Sequence, residues 1–358
     1  MGAALLSLLC AFPAATPPPP ADHSSAAYLD LIEAWRKGDE QASTRLDQWP
    51  RDEVRARAAK LVSVPGPWRS LGAAAALHLE TALVARGRGR STDAEFHVER
   101  GTLAAETAGQ RPAGGVEGEE IRAFLRAWRS ALGFYRLQEV SLREAQGIFD
   151  RLVADNEAGE EEWLGLGLVF ELGSRYPERL FVADQLRASR GTLRANPMVV
   201  KARVEGCLST AAEHYRRALR SAKPNPEARL RLARVLAQTG GAAEAAGHLD
   251  QLTGSSDPAI SGLAHLLRGE LDERARRDAA ALAHYRAAVA AQPDMMAALV
   301  ALSSALRSAG HTLEAASVVE RAPVLAARAA PTDAWIRYQR GLLEGMRGAM
   351  DRLAERVR

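Results

Sequence analysis

One arrangement of apolar positions recurs along this chain: a small residue, an aromatic or branched residue four positions on, and a small or aliphatic one three further. The copies are Ala145/Phe149/Leu152, Ala211/Tyr215/Ala218, Ala245/Leu249/Leu252, Ala281/Tyr285/Ala288 and Ala315/Val319/Ala322. Steps of four and three place the three positions on one face of a helix. The leading alanines stand 66, 34, 36 and 34 residues apart, which reads as two periods followed by three single ones. A period near about 34 residues is the length of a helical hairpin that stacks on copies of itself. Twelve positions before the alanine lies a second small-residue slot, held by Gly133, Ala233, Gly269 and Ser303, and Leu132, Leu232 and Leu302 each precede it by one residue. Two helices that pack closely need a small side chain where their backbones meet, so the register is fixed at two independent points.

Trp163, Leu166, Gly167 and Phe170 have the spacing W-x2-L-G-x2-Y. At these residues the sequence resembles the tetratricopeptide repeat (TPR) family, and the resemblance extends over roughly 121–327. It implies an all-α fold, a right-handed α-solenoid of TPR-like helical hairpins with helical caps. The organisation expected is a signal segment and proline-rich linker over 1–21, an N-terminal helical region of degenerate repeats or a cap over 22–118, repeats over 119–327 and C-terminal capping helices over 328–358.

Departures from the period carry their own expectations. Twelve residues after Gly167 the chain has Arg179 in place of alanine, with Pro177 two residues earlier. Proline removes a donor and collides with the preceding turn. The second helix of that repeat is therefore expected to be displaced, starting near Pro177 and running through Leu180, Phe181, Ala183 and Leu186. Pro197 similarly breaks the first half of the next repeat, with one helix following it through Val199, Val200, Val204 and Leu208. Arg268 and Asp272 replace apolar residues and should weaken the fourth hairpin. Ahead of the repeats, helices are predicted over Ala26–Lys37, Glu40–Trp49, Trp68–Arg86 and Thr92–Ala108, the last opened by the capping pair Thr92/Glu95. Residues 109–118 read as a loop. Trp335–Leu343 and Met346–Val357 form a last hairpin, whose charges suit a polar cap over the final apolar face of an array.

Composition supports close helix packing: hydrophobic residues make up 47% of the chain and aromatics 5%. No alternating run of branched residues between turn dipeptides predicts a sheet. The 47 basic and 44 acidic side chains are interspersed and leave a net charge of +3, without the one-signed excess of a nucleic-acid-binding face. Arg86, Arg88 and Arg90 read as solvated surface. Ala3–Phe12 has the length of a signal-peptide core and is too short to span a bilayer, although no positive segment precedes it. It predicts a periplasmic or secreted protein, with a cytoplasmic location as the alternative. Cys10 follows Leu9 rather than the small residue of a lipoprotein signal, and Cys207, among Val204, Leu208 and Ala211, reads as a small buried hydrophobe.

No phosphate-binding glycine loop, H-E-x-x-H, G-x-S-x-G or paired C-x-x-C is present in the sequence, so no catalytic residue, cofactor or metal ligand is assigned. His214, His248 and His284 each lie three residues after a leading alanine. Equivalent positions in stacked helices are about 8–10 Å apart, whereas zinc ligands converge to about 2 Å from the metal. These histidines read as half-buried rings rather than a metal ladder. What remains is surface. The resemblance implies a concave groove lined by the first helices, here Phe134, Leu164, Leu168, Leu230, Arg234, Gln238, Leu266, Glu270, Val300, Ser304 and Arg307. Members that clamp a peptide's terminal carboxylate carry lysines and asparagines at such positions. Here leucine, serine and valine prevail, which favours an extended segment or helix of another protein. The resulting expectation is a non-catalytic protein–protein interaction scaffold with a protein or peptide partner, no nucleic acid and no membrane span. The alternatives are an enzyme-associated or carbohydrate-handling helical domain and a cytoplasmic regulator that senses a peptide.

Overall fold

The computed structural model describes residues 68–87, 89–111, 113–154, 159–176, 179–180, 197–221, 225–329, 333–339 and 345–357. All of them fall in one compact unit that begins at Pro65. The signal segment and the helices expected over Ala26–Lys37 and Glu40–Trp49 lie outside the described residues.

Fourteen helices and no strand are found among the described residues. They are α1 (Trp68–Gly87), α2 (Ser91–Gly109), α3 (Gly115–Gln138), α4 (Leu142–Ala154), α5 (Glu160–Arg175), α6 (Pro197–Ala218), α7 (Pro226–Gln238), α8 (Ala242–Asp250), α9 (Pro258–Arg274), α10 (Asp278–Ala291), α11 (Met296–Ser308), α12 (Thr312–Ala329), α13 (Ala334–Gln339) and α14 (Gly345–Val357). The first twelve pair as six hairpins, and the second helix of each packs on the first helix of the next. This is an all-α, TPR-like solenoid.

Steric fit at the anchor slots sets the register. The leading alanines and their partners in α4, α6, α8 and α10 are all buried. A side chain at Gly133 would meet the Phe149 ring at 2.7 Å, one at Gly167 the Tyr215 ring at 2.2 Å, and one at Gly269 the Tyr285 ring at 2.5 Å. Each ring thus takes the space that a glycine leaves on the other helix of its hairpin. Five hairpins share one turn, with a left-handed residue five positions before the leading alanine: Gly89 (φ 74°), Val140 (55°), Gly240 (91°), Arg276 (59°) and Gly310 (83°). Gly89 precedes Ala94, and Ala94, Val98 and Gly101 of α2 are buried in the same slots. The α1–α2 hairpin is built on the repeat register.

Two expectations about the hairpins are corrected. The interval of 66 residues between Ala145 and Ala211 contains one hairpin rather than two: α5 pairs directly with α6, and the Gly167–Tyr215 contact is that of a single repeat. An insertion separates the two helices, and spacing alone does not distinguish an insertion from a skipped copy. At its start, Leu180 is buried against Gly173 and its carbonyl oxygen accepts from Arg143 Nε at 3.2 Å; Phe181, Ala183 and Leu186 lie outside the described residues. In the α9–α10 hairpin the buried Asp272 carboxylate is paired with Arg268 at 2.5 Å and Arg277 at 2.6 Å. Burial opposes its ionisation, but the two guanidinium groups hold its carboxyl below the usual range. Finally, α2 begins at Ser91 with Arg90 as N-cap and no side-chain cap bond; Glu95 pairs with Arg136 at 3.0 Å instead of closing a capping box.

The two last helices do not cover the far end of the array. There, Val319 of α12 is 55% exposed in the slot that is buried in the other repeats. Instead α13 packs on α9, and α14 packs on α3, α1 and α5. The apolar side of α14 explains this placement: Met346, Ala349, Met350 and Leu353 follow the helical i, i+3, i+4, i+7 spacing and are all buried.

Candidate protein-binding face

The first helices of the hairpins present one common face, and at its centre is a buried ionic cluster. Arg231 of α7, 1% exposed, donates from Nε to Glu227 Oε1 at 2.7 Å and from Nη1 to Glu171 Oε2 at 3.2 Å. The Glu171 carboxylate also accepts from Tyr215 Oη at 2.6 Å and from Arg175 Nη2 at 2.8 Å. A buried charge is tolerated only when paired and hydrogen-bonded. Burial works against ionised Glu171, yet the guanidinium groups of Arg231, Arg175 and Arg234 keep its carboxyl below the ordinary carboxylate range. Burial likewise disfavours charged Arg231, and the opposing carboxylates of Glu227 and Glu171 more than offset it, so its pKa is raised.

This cluster holds main-chain atoms of another segment of the chain. Arg231 Nη2 donates to the carbonyl oxygen of Tyr338 at 2.8 Å, and Glu227 Oε2 accepts from the Gly345 N–H at 3.0 Å. The Arg231 guanidinium lies 4.3 Å from the Tyr338 ring centroid, while that of Arg234 lies 5.0 Å from Trp335 and 5.2 Å from Tyr338. Arg175 Nη1 donates to the Gln339 side-chain oxygen. Burial, followed by the Glu171 charge, pushes the Tyr338 hydroxyl up to about 12. Asp333 starts this run. Its Oδ1 accepts from Trp335 N at 2.8 Å and Ile336 N at 3.1 Å, capping α13, and its Oδ2 accepts from Met296 N at 3.0 Å, at the first residue of α11. A short acidic side chain thereby satisfies donors at two helix N-termini.

The residues expected to line the groove divide into two sets. Phe134, Leu164, Leu168, Leu230 and Leu266 are fully buried; a side chain at Gly345 would sit 2.5 Å from Phe134 and 3.3 Å from Leu164, so α14 lies directly on that pair. Arg234 and Glu270 are half-buried and, with the exposed Gln238, line a cleft of about 130 Å3 together with Leu267, Leu271, Arg274 and Trp335. Burial raises the Glu270 carboxyl. On α11, Ser304 is half-buried, Arg307 is exposed and Val300 is 63% exposed. Sequence reasoning missed Glu171, Glu227, Arg231 and Tyr338, which look like ordinary surface residues; the i, i+4 spacing of Glu227 and Arg231 within an apolar stretch was the available signal.

The histidines of the anchor-plus-three slot do not converge. His214 is stacked by Trp163 and Phe170, with ring centroids 5.6 and 5.5 Å away. His284 meets His265 with Nδ1 atoms 3.0 Å apart, and His97, in the equivalent slot of α2, meets His78 at 2.9 Å. At such distances a neutral pair shares one proton as a hydrogen bond. Among the described residues no group of three or more histidine, cysteine or acidic side chains is placed to hold a metal ion, and no helix is long and apolar enough to cross a membrane. Cys207 is buried, and burial pushes its thiol up.

No curated protein matches the chain. The family model described as tetratricopeptide repeat matches residues 205–266, which run from within α6 to within α9 and include two of the buried anchor slots, at Ala211 and Ala245. With the stacked hairpins and the shared register, this match supports reading the chain as a tetratricopeptide repeat protein.

Proposed function

We propose that this protein is a non-catalytic scaffold that grips a segment of another protein on the face of its first helices. Tetratricopeptide repeats are interaction modules. The observation that carries the reading is that this face already holds protein main chain, through Arg231 to Tyr338 and Glu227 to Gly345. The cleft beside Arg234, Gln238 and Glu270 leaves room for a partner, and Val300 and Arg307 on the first helix α11 are exposed. Aliphatic walls with a few charged groups suit an extended or helical polypeptide. The apolar stretch Ala3–Phe12 supports export of the protein, for which sequencing the N-terminus of the mature chain is the test.

Leu164 and Leu230 are too deeply buried for substitutions there to report on binding. The test uses exposed positions instead: affinity capture with the full chain is compared with capture by Val300→Glu/Arg307→Glu. Loss of a captured polypeptide by the variant, with helical content unchanged, supports the reading; equal recovery from both contradicts it.

A further inference from the structure

Asp333, α13 and α14 together touch all six first helices. This segment touches α11 through Asp333 and Met296, α9 through packing of α13, α7 through Arg231 and Glu227, and α5 through Arg175 and Gln339. Its helix α14 then covers Phe134 and Leu164 and reaches Gly72 of α1, where a side chain would lie 2.9 Å from Val357. A TPR-like array needs no such covering, because each hairpin already packs on its neighbours. The chain occupies its own candidate binding face.

The manner of attachment indicates what else fits there. Arg231 and Glu227 address a carbonyl oxygen and an N–H, groups that every polypeptide carries. Selectivity comes from three features: two aromatic rings three positions apart, Trp335 and Tyr338, each lying over a guanidinium; a glycine seven positions later, where a side chain would strike Phe134; and an apolar stripe at Met346, Ala349, Met350 and Leu353. Methionine side chains adapt to irregular surfaces, and two of the four stripe residues are methionine. Helix α13 has six residues and α14 has thirteen. Detached helices of such length are marginal in water, so this segment depends on the face for its order.

We propose that Asp333–Val357 is an exchangeable self-ligand, and that the partner is a protein segment of the same chemistry: two aromatic residues three apart, a glycine seven positions on, and a following amphipathic helix. Such a segment competes for the face of α3, α5 and α7. The proposal rests on the scaffold reading, but it fails separately. A partner that binds only beside Gln238 and Val300, without moving α14, leaves the scaffold standing and removes the self-ligand.

The test uses the full chain and a labelled synthetic peptide of residues 333–357. Gly345→Leu places a side chain against Phe134 and should expel the segment without altering a residue of the face. Because apparent affinity falls with the fraction of open face, the wild-type chain should bind the peptide about tenfold or more weakly than the Gly345→Leu chain. A peptide carrying Trp335→Ala and Tyr338→Ala should bind neither. Equal peptide binding by both chains, with helicity retained, overturns the proposal. If Gly345→Leu loses its helical content altogether, hydrogen exchange on the wild-type chain decides: amides of α13 and α14 exchanging faster than those of α3 and α5 support a releasable segment, and equal protection overturns it.

Discussion

Arg231 and Tyr338 are 107 residues apart in the chain, yet Nη2 of the first donates to the main-chain oxygen of the second at 2.8 Å in a buried site. The same guanidinium neutralises Glu227 and Glu171. One side chain therefore joins three elements: the hairpin of α5 and α6, the first helix α7, and α13. Arg231→Ala leaves two buried carboxylates short of a partner, and breaking a buried ion pair costs about 3–5 kcal/mol. A urea unfolding series should show a loss of that size; a change below about 1 kcal/mol would mean that the cluster is open to water.

The shared turn predicts a gain in stability. Val140 holds φ at 55° where other hairpins have Gly89, Gly240 or Gly310. A left-handed conformation costs a residue with a β-carbon about 1–2 kcal/mol, partly offset by the extra entropy that glycine loses on folding. Val140→Gly should raise unfolding stability by roughly 0.5–1 kcal/mol, read from the urea midpoint. A decrease would show that Val140 contributes packing that outweighs the strain.

Two glycines in neighbouring helices should respond oppositely. A methyl group at Gly167 would enter the Tyr215 ring, while one at Gly206 meets nothing within 4 Å. Gly167→Ala should destabilise by about 1–3 kcal/mol, the cost of overpacking. Gly206→Ala should stabilise by roughly 0.5–1 kcal/mol, as expected for removal of glycine from an open helix interior. Thermal unfolding of the two variants beside wild type checks both signs.

Acid should weaken the first hairpin. Burial, then the charges of His97 and Arg100, lower His78 from 6.5 to about 4. Its pKa in the folded chain is below that in the unfolded chain, so on acidification the unfolded state takes up the proton first. The stability from keeping His78 neutral is fully present above pH 6.5 and is lost as pH falls toward 4, by roughly 3 kcal/mol. His265 and His284 are shifted in the same direction, chiefly by burial. His78→Gln should flatten the decline in unfolding midpoint between pH 7 and pH 5; an unchanged slope would assign the decline to other groups.

What the sequence made legible were contacts repeated in every copy. Ala145, Ala211, Ala245 and Ala281 all fall where helices touch, because the same steric demand recurs at each. Spacing failed where two arrangements give the same number: a skipped copy and an insertion both separate Ala145 from Ala211 by 66 residues. The inward turn of α13 and α14 had no local signal either. Their charged residues match a polar cap equally well, and only the complement of the stripe, formed by distant helices, decides where it lands. Glu171, Glu227 and Arg231 were passed over because burial of a charge depends on partners far away in the chain. Eight of the eleven expected groove residues, Phe134, Leu164, Leu168, Leu230, Leu266, Arg234, Glu270 and Ser304, are buried or half-buried, while Gln238, Val300 and Arg307 remain accessible.

Site-specific photo-crosslinking asks most directly which surface meets a partner. A benzophenone side chain placed at Gln238, on a first helix, is compared with one at Glu213, on the second helix α6, in cells producing the full chain. Both positions are exposed. If the first-helix face is the binding surface, Gln238 yields a covalent adduct with a second polypeptide and Glu213 yields none. Adducts from Glu213 alone, or equally from both positions, would contradict it.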